Sequence, residues 1–303
     1  MKLSPIALFV YNRPWHTQQT IEALQKNELS EQSDLFVVSD GPKNQQDQKN
    51  VMHIRKYLQT ISNFKSITII ERENNWGLAD SIIDGVTHII NRHGKIIVLE
   101  DDLITSPFFL TYMNNALNFY QGNKNIFSIS GYNLPPDIMP IPKSCTEEVY
   151  LNYRSSSWGW GTWENRWEKA DWSVKDYNQF LHNKKEQKLF NRGGNDLTHM
   201  LSMHMNGTID SWSIRWSYTH HKYNSLCIYP LISYIDNIGF DGSGIHCGHT
   251  TKFSNNICIA PKSILLTHNL KINKQLIKRF TNVYSPGLIS QLKQLIKKIM
   301  TNG

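Results

Sequence analysis

Short apolar runs alternate with amphipathic stretches through the first 130 or so residues. Ile6–Tyr11, Leu35–Ser39, Ser66–Glu71, Ile96–Leu99 and Ile126–Ser130 read as strands, being brief, rich in β-branched and aromatic residues and closed by polar turn formers. Between them Pro14–Lys26, Asp47–Ile61, Leu78–Asn91 and Ser106–Tyr120 carry apolar residues at helical spacing, and Pro14 suits a first helical turn. Such alternation predicts an α/β fold whose mostly parallel central sheet is covered by helices on both faces. After Ser130 the pattern turns irregular, rich in Trp, Gly and polar residues, until about Ala260. No internal repeat or low-complexity linker interrupts it, so residues 1–260 read as one domain, followed by a helical tail over 261–303.

That tail changes the charge picture. The net charge is +7, yet from Gly242 onward there are nine Lys or Arg and no Asp or Glu, which leaves 23 basic and 25 acidic residues before it. Pro286-Gly287 divides the tail into two candidate helices, and Ile289–Met300 sets Ile289, Leu292, Leu295, Ile296 and Ile299 opposite Lys293, Lys297 and Lys298. A basic amphipathic helix of this kind suits an anionic membrane surface, each cation contributing about 1 kcal/mol. It equally suits a terminal helix packed on its own domain with a solvated basic face. Nucleic acid is not expected as a partner, because no recognisable binding motif accompanies the charge.

With 40% hydrophobic and 11% aromatic residues the chain can bury an enzyme-sized core. No segment reaches about 18 uninterrupted apolar residues, and Ile6–Val10 is too short for a signal-peptide core. Cys145, Cys227, Cys247 and Cys258 are scattered without a CxxC pair, which fits reduced thiols and a cytoplasmic location.

The candidate chemistry centres on Lys95–Leu103, where a buried-type strand ends in Glu100, Asp101 and Asp102. In a parallel sheet this triplet emerges at the C-terminal edge, where α/β proteins bind ligands. Adjacent carboxylates repel unless a cation neutralises them, and all-oxygen ligands suit Mg²⁺ or Mn²⁺ held together with phosphates. The alternative is a solvated turn in which Asp101 or Asp102 caps the helix beginning near Ser106. Tyr11-Asn12-Arg13 and Ser39-Asp40-Gly41 should leave the same edge, giving one pocket that could hold a base and ribose beside a diphosphate, although Ser39–Pro42 is also an ordinary turn sequence. No Walker lysine loop or GxGxxG follows the first strand, which argues against nucleoside-triphosphate hydrolysis and dinucleotide binding. Asn74–Ala79 offers amides and a helix start to a sugar or phosphate, or simply caps the helix.

Further along, Arg154–Trp167 holds four tryptophans with Gly159 and Gly161 among them. Their rings could stack on sugar C–H faces or form an inner layer under the sheet, a reading in which the two glycines have no evident purpose. Asp210, in Ile209–Trp216, could accept a proton as a general base or serve as a helix N-cap. Gly239–His246 is glycine-dense enough to close over a ligand. His246, Cys247 and His249 suggest zinc only weakly, as no second spaced pair completes four ligands. His220-His221 suits packing or surface.

Together these residues resemble the GT-A glycosyltransferases, and in particular the inverting family that includes the Golgi N-acetylglucosaminyltransferase starting complex N-glycans, with the similar bacterial surface-polysaccharide transferases. Leu99–Leu103 followed by Ser106-Pro107-Phe108-Phe109 is similar to that family's Val-Glu-Asp-Asp-Leu and Pro-Asp-Phe-Phe. Tyr153-Arg154 with Gly159-Trp160 resembles its Tyr-Arg and Gly-Trp. Its Trp-Asp-Asp-Trp base motif falls on Ile209–Trp212, with Ile209 and Ser211 departing from it, and its donor-ordered loop on Gly239–His246. The family's Golgi anchor and lumenal disulfides have no counterpart in the sequence.

The resemblance implies a GT-A, Rossmann-like sheet with a nucleotide-binding half over 1–131 and an acceptor and catalytic half over 132–260. It implies Asp102 as the ligand of Mn²⁺ or Mg²⁺, Asp210 as the base, and Tyr11, Asn12, Arg13, Asp40, Glu100, Asp101, Arg154, Trp160 and His246 as donor-binding residues. The activity implied is transfer of a hexosyl or N-acetylhexosaminyl group from a nucleoside-diphosphate sugar, a UDP-sugar first, to a hydroxyl of a bacterial surface glycan such as a lipopolysaccharide core, or of a lipid-linked oligosaccharide. The expected place is the inner face of the bacterial inner membrane. The competing classes are a non-catalytic glycan-binding module and a metal-dependent nucleotidyltransferase.

Overall fold

The structure is a computed structural model that describes residues 2–243, 249–260 and 264–285. The first half follows the alternating pattern: β1 (Ile6–Val10), α1 (Pro14–Gln25), β2 (Asp34–Ser39), α2 (Gln45–Leu58), β3 (Ser66–Glu71), α3 (Leu78–His93) and β4 (Lys95–Glu100). A short β5 (Leu103–Thr105) precedes α4 (Phe109–Tyr120) and β6 (Ile126–Ser130). The stretch without clear periodicity folds as β7 (Val149–Asn152), β8 (Trp160–Trp163), α5 (Glu164–Trp167), α6 (Tyr177–Leu181), α7 (Lys184–Phe190), α8 (Leu197–Met205), α9 (Trp212–Lys222), β9 (Leu226–Pro230) and β10 (Ile235–Asn237), with α10 (Lys274–Val283) beyond it.

Eight strands form one sheet in the order β3-β2-β1-β4-β8-β6-β9-β7. Neighbours are parallel from β3 to β4, β8 is antiparallel to both β4 and β6, β9 is parallel to β6, and β7 is antiparallel to β9. Six strands therefore share one direction. This is the helix-flanked, mostly parallel Rossmann-like sheet that the GT-A resemblance predicts. Ile6, Leu8 and Val10 face one core with Ile21, Leu24 and Ile54, while Ala7 and Phe9 face the other with Ile82, Val86 and Trp216. Side chains on both faces of β1 are thus buried, which explains why its sequence is continuously apolar rather than alternating.

Trp160, Trp163 and Trp167 line the interior, so the inner-layer reading holds for them. The glycines between them have a packing purpose after all. A Cβ on Gly161 would lie 2.9 Å from the Ile96 carbonyl, and one on Gly159, whose φ is +60°, would lie 2.7 Å from Ile235. The start of the tail joins the body: Leu276 and Phe280 of α10 are buried in the main core, and Phe280 meets Tyr229 of β9 edge to face. The amphipathic stretch Ile289–Met300 lies outside the described residues. Among those described, no helix is long and apolar enough to cross a membrane.

Candidate active site

The register of the sheet assembles the site. Phe9 pairs with Glu100 and Val10 with Ser39, so the segments after β1, β2 and β4 leave the same edge side by side. Thr20 fixes the acidic turn by donating to the Asp101 carbonyl at 2.8 Å while accepting from the Leu103 amide at 3.1 Å. The triplet does not cap a helix: β5 intervenes, and the Phe108 amide before α4 donates to Ser106 Oγ.

Arg13 is the counter-charge of this turn. Its Nη1 lies 2.8 Å from Asp102 Oδ2 and 3.8 Å from Asp101 Oδ1, and its Nη2 lies 3.7 Å from Asp241 Oδ1. One guanidinium does not offset the crowding. Lost solvation, then the charges of Asp102 and Asp101, push the Glu100 carboxyl well above its ordinary range, although the Trp212 indole hydrogen-bonds it. Burial and Asp102 likewise raise Asp101, against the opposing pull of Arg13.

Leu103 pairs with Asn237 in the β5–β10 ribbon, which draws residues 238–241, the start of the glycine-dense loop, over the turn. Ile238 N donates to the Asp102 carbonyl at 2.9 Å, and a Cβ on Gly239 would fall 2.0 Å from Asp102 Oδ2. Asp241 reaches His16 Nε2 at 3.1 Å, and the two hydrogen bonds it accepts from Ser243 hold its carboxyl down to about 2. The sequence singled out neither His16 nor Asp241, and only the Gly-Asp-Gly character of the loop hinted at the latter. His246 and Cys247 lie outside the described residues.

Other expected donor contacts hold the frame. Tyr11 Oη and Asn12 Nδ2 both donate to Asp47 near the start of α2, at 2.8 and 2.7 Å, and lost solvation together with Asp47 raises the Tyr11 phenol to about 12. Asp40 is buried and accepts from the amides of Gly41, Trp76 and Gly77 and from Asn75 Nδ2. Its carboxylate therefore staples the β3–α3 turn to the β2 turn.

Asp210 stands at the mouth of the same edge. The N-cap of α9 is Ser211, whose Oγ accepts from Ile214 N, so the capping alternative for Asp210 falls away. The Asp210 side chain is 62% exposed, with Arg215 Nη2 3.7 Å from Oδ1. Arg215 is itself held by the carbonyls of Ser211 and Trp172. A Cβ on Gly77 would be 3.9 Å from Asp210 Oδ2, so the carboxylate sits at the start of α3, and Trp212, two residues on, hydrogen-bonds Glu100 of the acidic turn.

Two expected residues are committed elsewhere. Trp160 is 0% exposed and meets Trp167, Trp212 and Trp216 at centroid distances of 5.0–6.3 Å, so it offers no open face to a sugar. Arg154 makes a bidentate pair with Asp196 at 2.8 and 3.0 Å and lies over the Tyr284 ring, and none of its hydrogen bonds or ion pairs reaches the acidic turn. His220 is a packing histidine, bonded to Ser128 Oγ and the Trp216 carbonyl.

Among the described residues no group of three or more His, Cys, Asp or Glu side chains is arranged to hold a metal alone. The donor set at the turn nevertheless fits a hard divalent cation. It consists of clustered carboxylate oxygens whose mutual crowding Arg13 does not relieve, at a sheet edge where a phosphate can complete the coordination.

No protein-family model and no curated protein sequence matches the chain. Among solved structures it is similar to a mannosyltransferase from Pyrobaculum calidifontis in complex with GDP-Man and Mn²⁺ (10% identity, TM-score 0.41, 73% of this chain and 69% of that one). It is also similar to residues 1–349 of S. aureus TarS (10%, 0.41, 76% and 59%). Mouse xyloside xylosyltransferase 1 is a further similar structure (10%, 0.36, 72% and 81%).

Proposed function

We propose that the chain is a metal-dependent inverting glycosyltransferase that moves a sugar from a nucleoside diphosphate, UDP first, to a hydroxyl of a bacterial surface glycan or lipid-linked oligosaccharide. The observation that carries this reading is the convergence of Arg13, the Glu100–Asp102 turn and the exposed Asp210 carboxylate on one edge of a parallel sheet. Asp102 would hold Mn²⁺ or Mg²⁺, with Glu100 and Asp101 orienting the atoms around it; when bound, such an ion neutralises charge on the departing diphosphate. Arg13 supplies a second positive charge at the same place.

The acceptor oxygen attacks the anomeric carbon, the bond from that carbon to the diphosphate oxygen breaks with its electron pair, and the hydroxyl proton passes to Asp210. In-line displacement inverts the configuration. An exposed carboxylate steered by Arg215 suits a base that must meet an incoming hydroxyl. The basic run of the tail suits an acceptor presented at an anionic membrane surface.

The test is turnover with a panel of UDP-sugars. Asp102→Asn should lose both activity and metal-supported UDP binding, while Asp210→Asn should bind UDP normally and lose about 10²–10⁴-fold in kcat. Near wild-type turnover in either variant removes that residue from its role.

A further inference from the structure

The turn between β3 and α3 carries a feature to which the proposed donor site assigns no role. Trp76 is 48% exposed although it belongs to a tightly held segment. Its amide is bonded to Asp40, the flanking Asn75 and Gly77 are bonded to the same carboxylate, and the carbonyl of Arg72 accepts from Arg55 at 2.7 Å. The Arg72 guanidinium lies 3.6 Å from the centroid of the Trp76 ring and is fixed by Asp84 at 2.7 Å. Arg72 is only 8% exposed, so the rear of the indole is sealed by a buried cation and its exposure belongs to the opposite face.

An indole held rigid from behind and open in front loses little conformational entropy when a ligand stacks on it, which suits it to be a platform. The same turn supplies a character for the ligand: Leu78 is 41% exposed, and the polar Asn74 and Asp80, close in sequence, are exposed as well. An apolar face with a polar rim matches a pyranose ring, whose axial C–H groups pack on an indole while its hydroxyls turn to amide and carboxylate. The location selects which sugar. Gly77, the next residue, borders Asp210 rather than the Arg13–Asp102 pair.

We infer that Trp76 is a stacking platform for a pyranose of the acceptor, setting which hydroxyl reaches Asp210. This rests on the glycosyltransferase reading for the word acceptor, whereas binding of a pyranose to the ring does not. In that role Trp76 determines specificity and positions the acceptor, taking no part in the chemistry itself.

The experiment is saturation-transfer NMR on the full chain with a panel of methyl pyranosides, with and without UDP and Mn²⁺, beside calorimetry of UDP with Mn²⁺. At least one glycoside should receive saturation at its ring protons from the wild type. Trp76→Ala should lose about ten-fold or more of that affinity, Trp76→Phe should retain part of it, and UDP binding should be unchanged in both, which also reports that the variants are folded. Equal transfer in Trp76→Ala, or no glycoside binding to the wild type, overturns the platform. Loss of UDP binding in step with the glycoside overturns it too, since the ring would then hold the nucleobase. Wild-type chain that binds a glycoside through Trp76 yet fails to bind UDP would keep the platform and sink the transferase reading instead.

Discussion

Gly239 lies against Asp102 so closely that a Cβ would stand 2.0 Å from Oδ2, inside any permissible contact. The absent side chain is what lets Gly239 lie over the acidic turn without displacing the carboxylate. Gly239→Ala should therefore move Asp102 and weaken Mn²⁺-supported UDP binding by about ten-fold or more, roughly 1.4 kcal/mol. Thermal denaturation should show the fold retained. Unchanged affinity in a folded variant would mean that Asp102 does not need its present position.

Arg13 is the one cation paired with that carboxylate among the described residues. Arg13→Gln removes positive charge from a pocket proposed to hold a diphosphate, and the predicted cost is about ten- to a hundred-fold in UDP affinity. The loss should exceed that for uridine, which lacks phosphates. Equal losses for UDP and uridine would assign Arg13 to the nucleoside instead.

The sheet interior makes a separate prediction. Gly161 of β8 faces the Ile96 carbonyl at 2.9 Å and Leu117 and Met113 at 3.0 Å from a notional Cβ, so Gly161→Ala overpacks the sheet and should cost about 1–3 kcal/mol. Gly122→Ala, where a Cβ meets nothing within 4 Å, is the control. Urea unfolding of the two variants checks the difference.

The buried His220 gives acid sensitivity. Burial lowers its pKa from 6.5 to about 4, so between those values the unfolded chain binds a proton that the folded one refuses. Stability therefore rises with pH through this window: the full contribution is present above 6.5, and on the order of 3 kcal/mol is lost as pH falls toward 4. Urea midpoints between pH 4.5 and 7 should show this slope, and His220→Gln should flatten it. An equal slope in that variant would place the acid sensitivity elsewhere.

The first half of the fold was legible because β1 to β4 and the helices between them obey local periodicity; β3 and β6 begin and end where the pattern puts them. The second half was not, because its pairings are distant and its strands are short. Gly161 of β8 meets Ile97 of β4 and Ile129 of β6, and β9 reaches back to β6 across the intervening helices. No window of sequence carries that information. The acidic triplet declared itself through three adjacent charges. That Asp40 also staples two turns was not legible, because its four donors lie on its own turn and on one some 35 residues away. Whether Asp210 or Ser211 capped α9 turned on a backbone angle that composition does not encode, and the open face of Trp76 depends on where Arg72 packs.

The central claim is that Asp102 joins a divalent ion and a nucleoside diphosphate at this sheet edge. Calorimetric titration of UDP into the wild type and Asp102→Asn, each with Mn²⁺ and again with EDTA, tests it directly. The account predicts binding by the wild type with Mn²⁺, its loss in EDTA, and little difference between the two conditions for the variant. UDP binding that is indifferent to both the metal and the Asp102 substitution would contradict it.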